Sequence, residues 1–351
     1  MATAERGQKA KTQVGTKSSI MAASSTPVGV VGLGVMGAVI ATNMLAAGHQ
    51  VFAVAREETE RTTAKRRVQK HLSALHKAGE LKQPVSEVIK RFSVGAEYSS
   101  LAPCGLVVES IIEDLDAKHQ VVERVEEVVA AATLIGSNTS GLSITAIQSK
   151  ARNPKRVLGL HWVSSSPFVS VVEIMGGEHT SRPSIERARD FVKLWGKKPT
   201  IARGDVQGFL CNRICYAILR EAFALLDEGV ATPQEIDEAL RASMGTWLPF
   251  VGPFGYLDLT GPAAYATVIQ EIFPHLNNSQ SVPRSLQELL DKGGQGIANG
   301  RGFYTYELGE GERRREQFDD FRRDVTLLVK KYERKESITK ARNKNAKRAN
   351  A

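Results

Sequence analysis

The fold is decided by the stretch Val28-Gly29-Val30-Val31-Gly32-Leu33-Gly34-Val35-Met36-Gly37, an apolar, β-branched run that passes into three glycines at turn spacing. The run predicts a buried strand, and Met36–Ala47 predicts a helix directly after the turn. In such a turn the first glycine allows a tight bend, the second lets the backbone approach a phosphate, and the third allows close packing of helix on strand. The stretch therefore predicts a strand, a glycine-rich turn and a helix in succession.

A dinucleotide pyrophosphate is the ligand that this glycine-rich turn, residues 32–37, predicts. The start of the helix presents free N–H groups and the positive end of a helix dipole. A lone Gly-x-Gly-x-x-Gly is a weak signal, but a second strand, Val51–Ala55, follows at the distance of a β-α-β unit. A purely structural glycine turn is the alternative. The predicted cofactor-binding residues here are Gly32, Leu33, Gly34, Val35, Met36 and Gly37.

Short β-branched runs alternate with amphipathic stretches from Pro27 to about Ala202, which predicts parallel β-α-β units. Beyond Gly208 only helices are predicted. The further predicted strands are Leu106–Glu109, Thr133–Ser137, Val157–His161 and Val171–Met175; the predicted helices are Glu57–Lys77, Leu115–Ala131, Ser184–Trp195, Phe209–Glu228, Pro233–Met244 and Ala263–Phe273. The sequence thus predicts an α/β Rossmann domain with a doubly wound, mainly parallel sheet over residues 27–205, and an all-α C-terminal domain over residues 206–330.

The net charge of +9 is concentrated at the two ends of the chain. Residues 1–26 carry four basic side chains and one acidic one, and residues 335–351 carry six basic and one acidic. The body between them is therefore near neutral, which argues against a nucleic-acid-binding face. We expect solvated, disordered basic tails over 1–26 and 331–351, with a functional basic arm as the alternative.

Neither a metal nor a membrane is predicted as a partner. Cys104, Cys211 and Cys215 form no metal-ligand pattern and suit a reducing cytoplasm. Residues 28–48 are apolar enough to resemble a membrane span, but their glycines at turn spacing and the strand that follows argue against one. The first twenty residues lack the apolar core of a secretory signal. We expect a cytoplasmic protein, with a mitochondrial presequence as the less favoured alternative.

The end of the second strand bears on the choice between NAD and NADP. About 20 residues after the glycine-rich turn, an acidic residue normally binds the ribose 2′-hydroxyl. Here that position is Ala55, followed by Arg56. Ala55 removes a carboxylate that would repel a 2′-phosphate, and Arg56 offers a bidentate partner for one. The pair favours NADP over NAD, with a solvated Arg56 and either cofactor as the alternative.

A series of short motifs follows in a fixed order along the chain. They are Val107-Val108-Glu109 with Glu113 and Lys118, Ser137-Asn138-Thr139-Ser140, Gly159-Leu160-His161, Val172-Glu173, Gly208-Phe209 with Asn212-Arg213, Gly252-Pro253-Phe254 and Gly302-Phe303-Tyr304. With these motifs the chain resembles the 3-hydroxyacyl-CoA dehydrogenases from about Val28 to Tyr306. The resemblance implies NAD(P)-dependent interconversion of a 3-hydroxyacyl-CoA and a 3-oxoacyl-CoA, and a homodimer.

The chemistry of a histidine and a glutamate agrees with that resemblance. A neutral histidine titrates near physiological pH, so it can take a hydroxyl proton and return it to an alkoxide. His161 ends an apolar strand at the carboxyl edge of the predicted sheet, where ligands bind in doubly wound folds. Glu173, on the next strand, can accept the other ring N–H and fix the tautomer. The resemblance assigns the catalytic dyad to these two positions.

Further roles rest on the resemblance alone. It implies that Ser137 binds the substrate oxygen and that Asn212 holds the substrate carbonyl, although each can instead cap a helix. It also implies that Glu109, Lys118 and Asn138 lie at the cofactor, a strand-end role being the alternative for Glu109.

Two features bear on the substrate. The family carries Asn and Pro after the catalytic histidine, where this chain has Ser164-Ser165-Ser166-Pro167. Ser164 is shorter than Asn, so either the pocket is shaped for another 3-hydroxy substrate or turnover of short acyl-CoA is weakened.

A cationic helix face also bears on the substrate. It is formed by Lys65, Arg66, Arg67 and Lys70, and it suits the phosphates of coenzyme A, with a solvated charged face as the alternative.

Three alternatives to the thioester reaction remain. The first keeps the dyad but takes a free 3-hydroxy acid such as carnitine or gulonate. The second, a hydroxyacid dehydrogenase with a catalytic lysine on the first helix of the C-terminal domain, is disfavoured because that helix carries no lysine from Asn212 through Arg220. The third is a cofactor-binding protein without catalysis, which the serine run at 164–166 favours.

Overall fold

A computed structural model describes residues 26–307 and 309–349. Its first part is built on one eight-stranded sheet in the order β3-β2-β1-β4-β5-β6-β7-β8. The strands are β1 Val28–Val31, β2 Val51–Val54, β3 Phe92–Gly95, β4 Leu106–Glu109, β5 Leu134–Ser137, β6 Val157–Trp162, β7 Val171–Gly176 and β8 Lys198–Ala202. All neighbours pair in parallel except β6 and β7, which are antiparallel.

Helices cover both faces of this sheet. They are α1 Val35–Ala46, α2 Glu58–Lys77, α3 Val85–Val88, α4 Leu115–Val128, α5 Ile144–Gln148 and α6 Arg182–Leu194. Successive strand residues point to opposite faces. Val30 accordingly lies in a core with α1, α2 and α6, whereas Val31 lies in a second core with α4 and α5. Strands covered on both faces explain why β1, β4 and β5 are buried at every position.

The described chain divides into two compact units within helix α7, Cys211–Asp227: the first ends at Arg213 and the second begins at Ile214. The second unit is helical. Its remaining helices are α8 Pro233–Ala242, α9 Met244–Thr260, α10 Pro262–Ile272, α11 Arg284–Asp291 and α12 Glu310–Ala349. Among the described residues of α7 to α11, none is buried.

The predicted fold class, a Rossmann domain followed by helices, is confirmed. The edge strands β3 and β8 were not predicted, because each is a short strand with only a short stretch of strand-like sequence. Helix α9 was not predicted either, because it contains Pro249 and Pro253 and bends at Gly252. Within the part of the chain described, no helix is both long and apolar enough to cross a membrane.

The predictions for the two basic tails compare differently with the structure. Residues 1–25 of the first tail lie outside the described residues. The second tail, expected to be disordered, is instead helical, because α12 continues to Ala349. The physical reason is composition: after Gly311 the helix contains no glycine or proline and is rich in Lys and Arg, which favour helix.

Candidate active site

A histidine and a glutamate face each other on the one antiparallel strand pair of the described sheet. His161 on β6 is directly opposite Glu173 on β7 in the strand register. The imidazole Nδ1 lies 2.8 Å from Glu173 Oε2, and both side chains are almost fully buried. At this distance the ring donates from Nδ1 to the carboxylate, which leaves Nε2 to exchange a proton with another group.

The second oxygen of Glu173 is held by backbone amides. Oε1 accepts from the N–H groups of Leu210 at 3.0 Å and Cys211 at 2.9 Å. Burial alone raises the pKa of Glu173, but the hydrogen bonds from His161 and these two amides outweigh it, so the pKa lies below its ordinary value. Glu173 is therefore a fixed, ionised partner for the imidazole.

The Nε2 side of the imidazole faces a serine. Ser140 Oγ lies 3.2 Å from His161 Nε2, and the Asn212 side-chain amide donates to the carbonyl of Ser140 at 3.3 Å. On the other side, the ring of Phe209 lies 5.0 Å from the imidazole, centroid to centroid. Phe209 has φ +53°, in the left-handed region that is unfavourable for an aromatic residue. The chain bends there so that the next two amides reach Glu173.

Glu113 holds the loop that carries Ser140. Its Oε1 accepts from the amides of Ser140 at 2.9 Å and Gly141 at 2.8 Å, and from the Thr139 hydroxyl at 2.5 Å. Lys118 Nζ lies 3.4 Å from its Oε2. Burial raises the pKa of Glu113, but these hydrogen bonds and the Lys118 charge outweigh it and lower the pKa. Ser140 is thereby fixed with its hydroxyl toward His161.

Ser137, which the resemblance assigns to the substrate oxygen, lies elsewhere. It ends β5 opposite Glu109 in the register, and its buried hydroxyl donates to Glu109 Oε2 at 2.6 Å. The serine of this motif that reaches His161 is Ser140, three residues later. The physical reason is that Ser137 is still within the ladder, whereas the loop after β5 turns Ser140 toward β6. The signal was present in the motif, which contains both serines.

Glu109, which the resemblance places at the cofactor, is engaged within the sheet and does not line the cavity described next. Its Oε1 pairs with Lys118 Nζ at 2.7 Å, and each of the two side chains is 1% exposed. The two opposite buried charges satisfy each other. Glu113, unlike Glu109, lines the cavity described next.

A cavity of about 710 Å³ extends from the glycine-rich turn to Ser140. Of the predicted cofactor-binding residues it is lined by Gly32, Gly34, Val35, Met36, Ala55, Arg56 and Asn138, and not by Leu33, Gly37, Glu109 or Lys118. Residues that were not predicted also line it, including Glu60, Tyr98, Glu113, Arg124 and Ser140. The cavity therefore joins a phosphate-binding turn to the neighbourhood of the His161 imidazole.

The residues of the turn fit a dinucleotide. A Cβ added at Gly34 would meet nothing within 4 Å, so packing does not require glycine there and the space faces the cavity. A Cβ added at Gly37 would lie 2.0 Å from the Gly32 carbonyl oxygen, so that glycine serves helix packing. No side chain caps the start of α1 and its first turn holds no acidic residue, which leaves its N–H groups available to a pyrophosphate.

The part of the cavity next to β2 and α2 combines a cation, an anion and an aromatic ring. Arg56 is exposed at its rim. Glu60, in the first turn of α2, accepts from the backbone N–H of Leu33 at 3.1 Å. The Arg124 guanidinium lies 4.0 Å above the centre of the Tyr98 ring. Charge in this part of the cavity is thus mixed, not uniformly positive.

The remaining predicted residues lie as follows. Asn138 Oδ1 accepts from the backbone of Trp162 at 2.8 Å, which ties the end of β5 to β6. Ser164 Oγ accepts from the N–H of Ser166 at 3.2 Å, so the serine run forms a tight local turn. Lys65 and Lys70 are exposed on α2 and do not line the cavity. No group of metal-ligating side chains is found among the residues that the structure describes.

Known proteins match the chain over both units. The family descriptions "3-hydroxyacyl-CoA dehydrogenase, NAD binding domain" and "3-hydroxyacyl-CoA dehydrogenase, C-terminal domain" match residues 27–206 and 208–306. Mitochondrial hydroxyacyl-coenzyme A dehydrogenase of Homo sapiens is 33% identical over 287 residues, covering 79% of this chain and 90% of that protein.

Two further matches concern one other activity. The 5-formyl-3-hydroxy-2-methylpyridine 4-carboxylate 5-dehydrogenase of Mesorhizobium japonicum is 29% identical over 285 residues, covering 80% of this chain and 90% of that protein. A crystal structure of a dehydrogenase of this kind, described as an NAD+ dependent dismutase, superposes with a TM-score of 0.82 at 24% identity, covering 87% of this chain and 99% of the other. The second likeness is one of fold.

Proposed function

The chain belongs to the 3-hydroxyacyl-CoA dehydrogenase family, whose members are NAD-dependent oxidoreductases acting on CH–OH groups, and we propose that it interconverts a 3-hydroxyacyl-CoA and a 3-oxoacyl-CoA with His161 as general base and acid. The observation that carries the proposal is the buried His161–Glu173 pair beside a cavity that begins at the glycine-rich turn.

The proton transfer falls to His161. Its Nδ1–H is committed to Glu173, so Nε2 takes the proton of the substrate hydroxyl in oxidation and returns it to the forming alkoxide in reduction. Glu173, ionised and held by two amides, stabilises the imidazolium that exists between these events. General acid–base catalysis of this kind contributes about 10²–10⁴-fold to a rate.

Two neighbours orient the substrate oxygen in this proposal. Ser140 Oγ lies on the Nε2 side of His161 and can share a hydrogen bond with the substrate oxygen. Asn212, which reaches the carbonyl of Ser140, keeps its amide on the same side and can hold the thioester carbonyl. Ser140 thus takes the role that the resemblance gave to Ser137.

The cofactor that fits the turn is NAD(H), which when bound supplies the hydride acceptor or donor. The N–H groups at the start of α1 would hold the pyrophosphate, and Gly34 leaves the space for it. The preference for NADP that Ala55 and Arg56 favour remains a prediction. Glu60, a carboxylate in the same part of the cavity, argues for NAD(H), and we take NAD(H) as the cofactor.

A free hydroxy acid is the second candidate substrate. It is favoured by the similarity to the Mesorhizobium japonicum enzyme, whose name describes a pyridine carboxylate and no coenzyme A. Ser164 and Ser165 occupy the positions where the family usually has Asn and Pro, which also favours a substrate other than a short acyl-CoA. Turnover of a free 3-hydroxy acid, with none of acyl-CoA, would select this candidate.

A homodimer is the proposed assembly. Large apolar side chains stand exposed on the helices of the second unit, among them Phe250, Phe254 and Leu259. Several large exposed apolar side chains in one unit are typical of a protein that forms a protein–protein contact. Phe254→Glu should convert a dimer to a monomer in light scattering coupled to size exclusion; a wild-type monomer would contradict the proposal.

The reaction is tested by NADH oxidation with acetoacetyl-CoA. We expect His161→Ala to lower kcat by about 10²–10⁴-fold, because proton transfer loses its acceptor and donor. His179→Ala is the control, since that side chain is exposed and outside the cavity lining. Equal rates for His161→Ala and the parent would overturn the mechanism.

A further inference from the structure

The part of the cavity next to β2 and α2 contains a carboxylate, although the strand position that usually supplies one does not. In dinucleotide-binding folds an acid at the end of the second strand binds the ribose hydroxyls. In this chain β2 ends at Val54 and is followed by Ala55, whose side chain is a buried methyl group. The carboxylate that lines the cavity instead belongs to Glu60, in the first turn of α2.

The side chain of Glu60 contacts the glycine-rich turn. Its Oε1 accepts from the N–H of Leu33 at 3.1 Å, a contact between residues 27 positions apart in sequence. The side chain is half-buried and shares the cavity wall with Gly32, Gly34 and Ala55. A carboxylate there would lie close to a dinucleotide whose pyrophosphate is held by the glycine-rich turn.

The start of α2 is fastened so that Glu60 points this way. The Arg61 guanidinium donates to the carbonyl of Ala55 at 3.0 Å and to that of Arg56 at 2.6 Å. These bonds tie the first turn of the helix to the end of β2. The small side chain of Ala55 leaves room beneath, so a longer acid from the helix can reach the position that a strand-end acid would fill.

We propose that Glu60 takes the place of the missing strand-end acid, accepting hydrogen bonds from the adenosine ribose and selecting NAD(H) against NADP(H). The inference rests on the proposed function, because it presumes a nicotinamide dinucleotide in this cavity. A carboxylate has two oxygens, each with two acceptor sites, and Oε1 uses only one of them on Leu33. Glu60 can therefore accept from a 2′-hydroxyl without giving up its hold on the turn.

The same charge works against a 2′-phosphate. A phosphate monoester carries nearly two negative charges at neutral pH, and at contact distance in a partly desolvated cavity it is repelled by a carboxylate. Arg56 offsets this only weakly, because its side chain is exposed at the rim, where solvent and salt screen it. Arg124 is occupied by the face of the Tyr98 ring.

Binding, not turnover, tests the assignment. The dissociation constants of NADH and NADPH are measured by nucleotide fluorescence for the full chain and its variants. We expect the wild type to bind NADH at least about tenfold more tightly than NADPH, and Glu60→Gln to reduce that ratio at least about tenfold, since Gln keeps an acceptor for Leu33 but loses the charge. Glu58→Gln, on the same first turn but outside the cavity lining, is the matched control and should leave the ratio unchanged.

The possible outcomes distinguish a failure of the role assigned to Glu60 from a failure of the proposed dehydrogenase function. A wild type that prefers NADPH, or an unchanged ratio in Glu60→Gln, overturns the role of Glu60 while leaving the dehydrogenase proposal intact. A wild type that binds neither nucleotide overturns the proposed function and the inference with it. If Glu60→Gln does not fold, Glu60→Asp decides: it keeps the charge on a shorter side chain, so NADH should bind more weakly while NADPH remains rejected, and acceptance of NADPH would overturn the role.

Discussion

His161 Nδ1 and Glu173 Oε2 lie 2.8 Å apart because the two residues are directly opposite each other on antiparallel strands. The other strand neighbours in the described sheet run in parallel. The reversal at β7 brings the beginning of that strand to the carboxyl end of β6, the edge where ligands bind in doubly wound folds. One exception in the topology thus creates the pair.

Replacing Glu173 with Gln should uncouple this pair. The pKa of Glu173 is lowered, so the native protein holds a carboxylate there at neutral pH, and Gln removes the charge that stabilises the imidazolium. We expect kcat to fall by about 10²–10⁴-fold while the dissociation constant for NADH stays unchanged. Glu178→Gln, five residues further on and exposed, is the control. A kcat for Glu173→Gln within about threefold of the parent would contradict the assigned role.

Replacing the two serines of the 137–140 motif with alanine should affect different properties, activity for Ser140 and stability for Ser137. Ser140→Ala removes the hydroxyl next to His161 Nε2 and should lower kcat/KM by about 10–100-fold without changing Tm, because Ser140 is exposed. Ser137→Ala leaves the buried Glu109 without one hydrogen bond and should cost about 1–3 kcal/mol of stability, with kcat nearly retained. Steady-state kinetics and thermal melts of both variants distinguish them. The reverse pattern would restore Ser137 to the substrate.

The glycines of the turn should also separate binding from folding. Gly34 has φ −60° and open space where a Cβ would lie, so Gly34→Ala should keep its Tm but bind NADH at least about tenfold more weakly. Gly37→Ala would drive a methyl group to 2.0 Å from the Gly32 carbonyl oxygen and should unfold or strongly destabilise the domain. Thermal melts and NADH titrations check both. Normal NADH affinity in Gly34→Ala would place the cofactor elsewhere.

The positions of site residues within regular strands could be predicted from the sequence, whereas those on loops could not. His161 and Glu173 each sit in an apolar run whose strand character is readable, so their juxtaposition could be anticipated. The choice between Ser137 and Ser140 depended on where β5 ends and how the next three residues turn. Periodicity carries no information about that turn.

Glu60 illustrates a second limit. The general pattern places an acid at the end of β2, and its absence at Ala55 favours NADP. The carboxylate arrives from the next helix through a contact with Leu33 that spans 27 residues. Its position depends on how Arg61 ties α2 to the end of β2, which composition and spacing do not reveal.

Asp205 should make stability depend on pH. Its Oδ2 accepts from the Ser143 hydroxyl at 2.6 Å and the amide of Thr145 at 2.7 Å, and its Oδ1 accepts from the amide of Ile144 at 3.0 Å. Burial raises the pKa of Asp205, but these hydrogen bonds outweigh it and hold the pKa below the ordinary value of 3.8. A carboxyl with a lowered native pKa stabilises the fold above its unfolded pKa. That stabilisation is lost as the pH falls through the native pKa.

The expected result is therefore a gap in Tm between wild type and Asp205→Asn that is wide at pH 7, constant down to about pH 5, and narrower below the ordinary pKa of Asp. Asp190→Asn, at an exposed position, should show no such gap. Thermal melts at about pH 7, 5, 4 and 3.5 measure this difference in Tm for each variant. A gap that widens on acidification would mean that Asp205 is protonated in the native state, because only then would its loss matter more at low pH. Asp205 also ties the segment that leads to Phe209 onto the start of α5. Because the next two amides, of Leu210 and Cys211, hold Glu173, Asp205→Asn should also lower activity at pH 7.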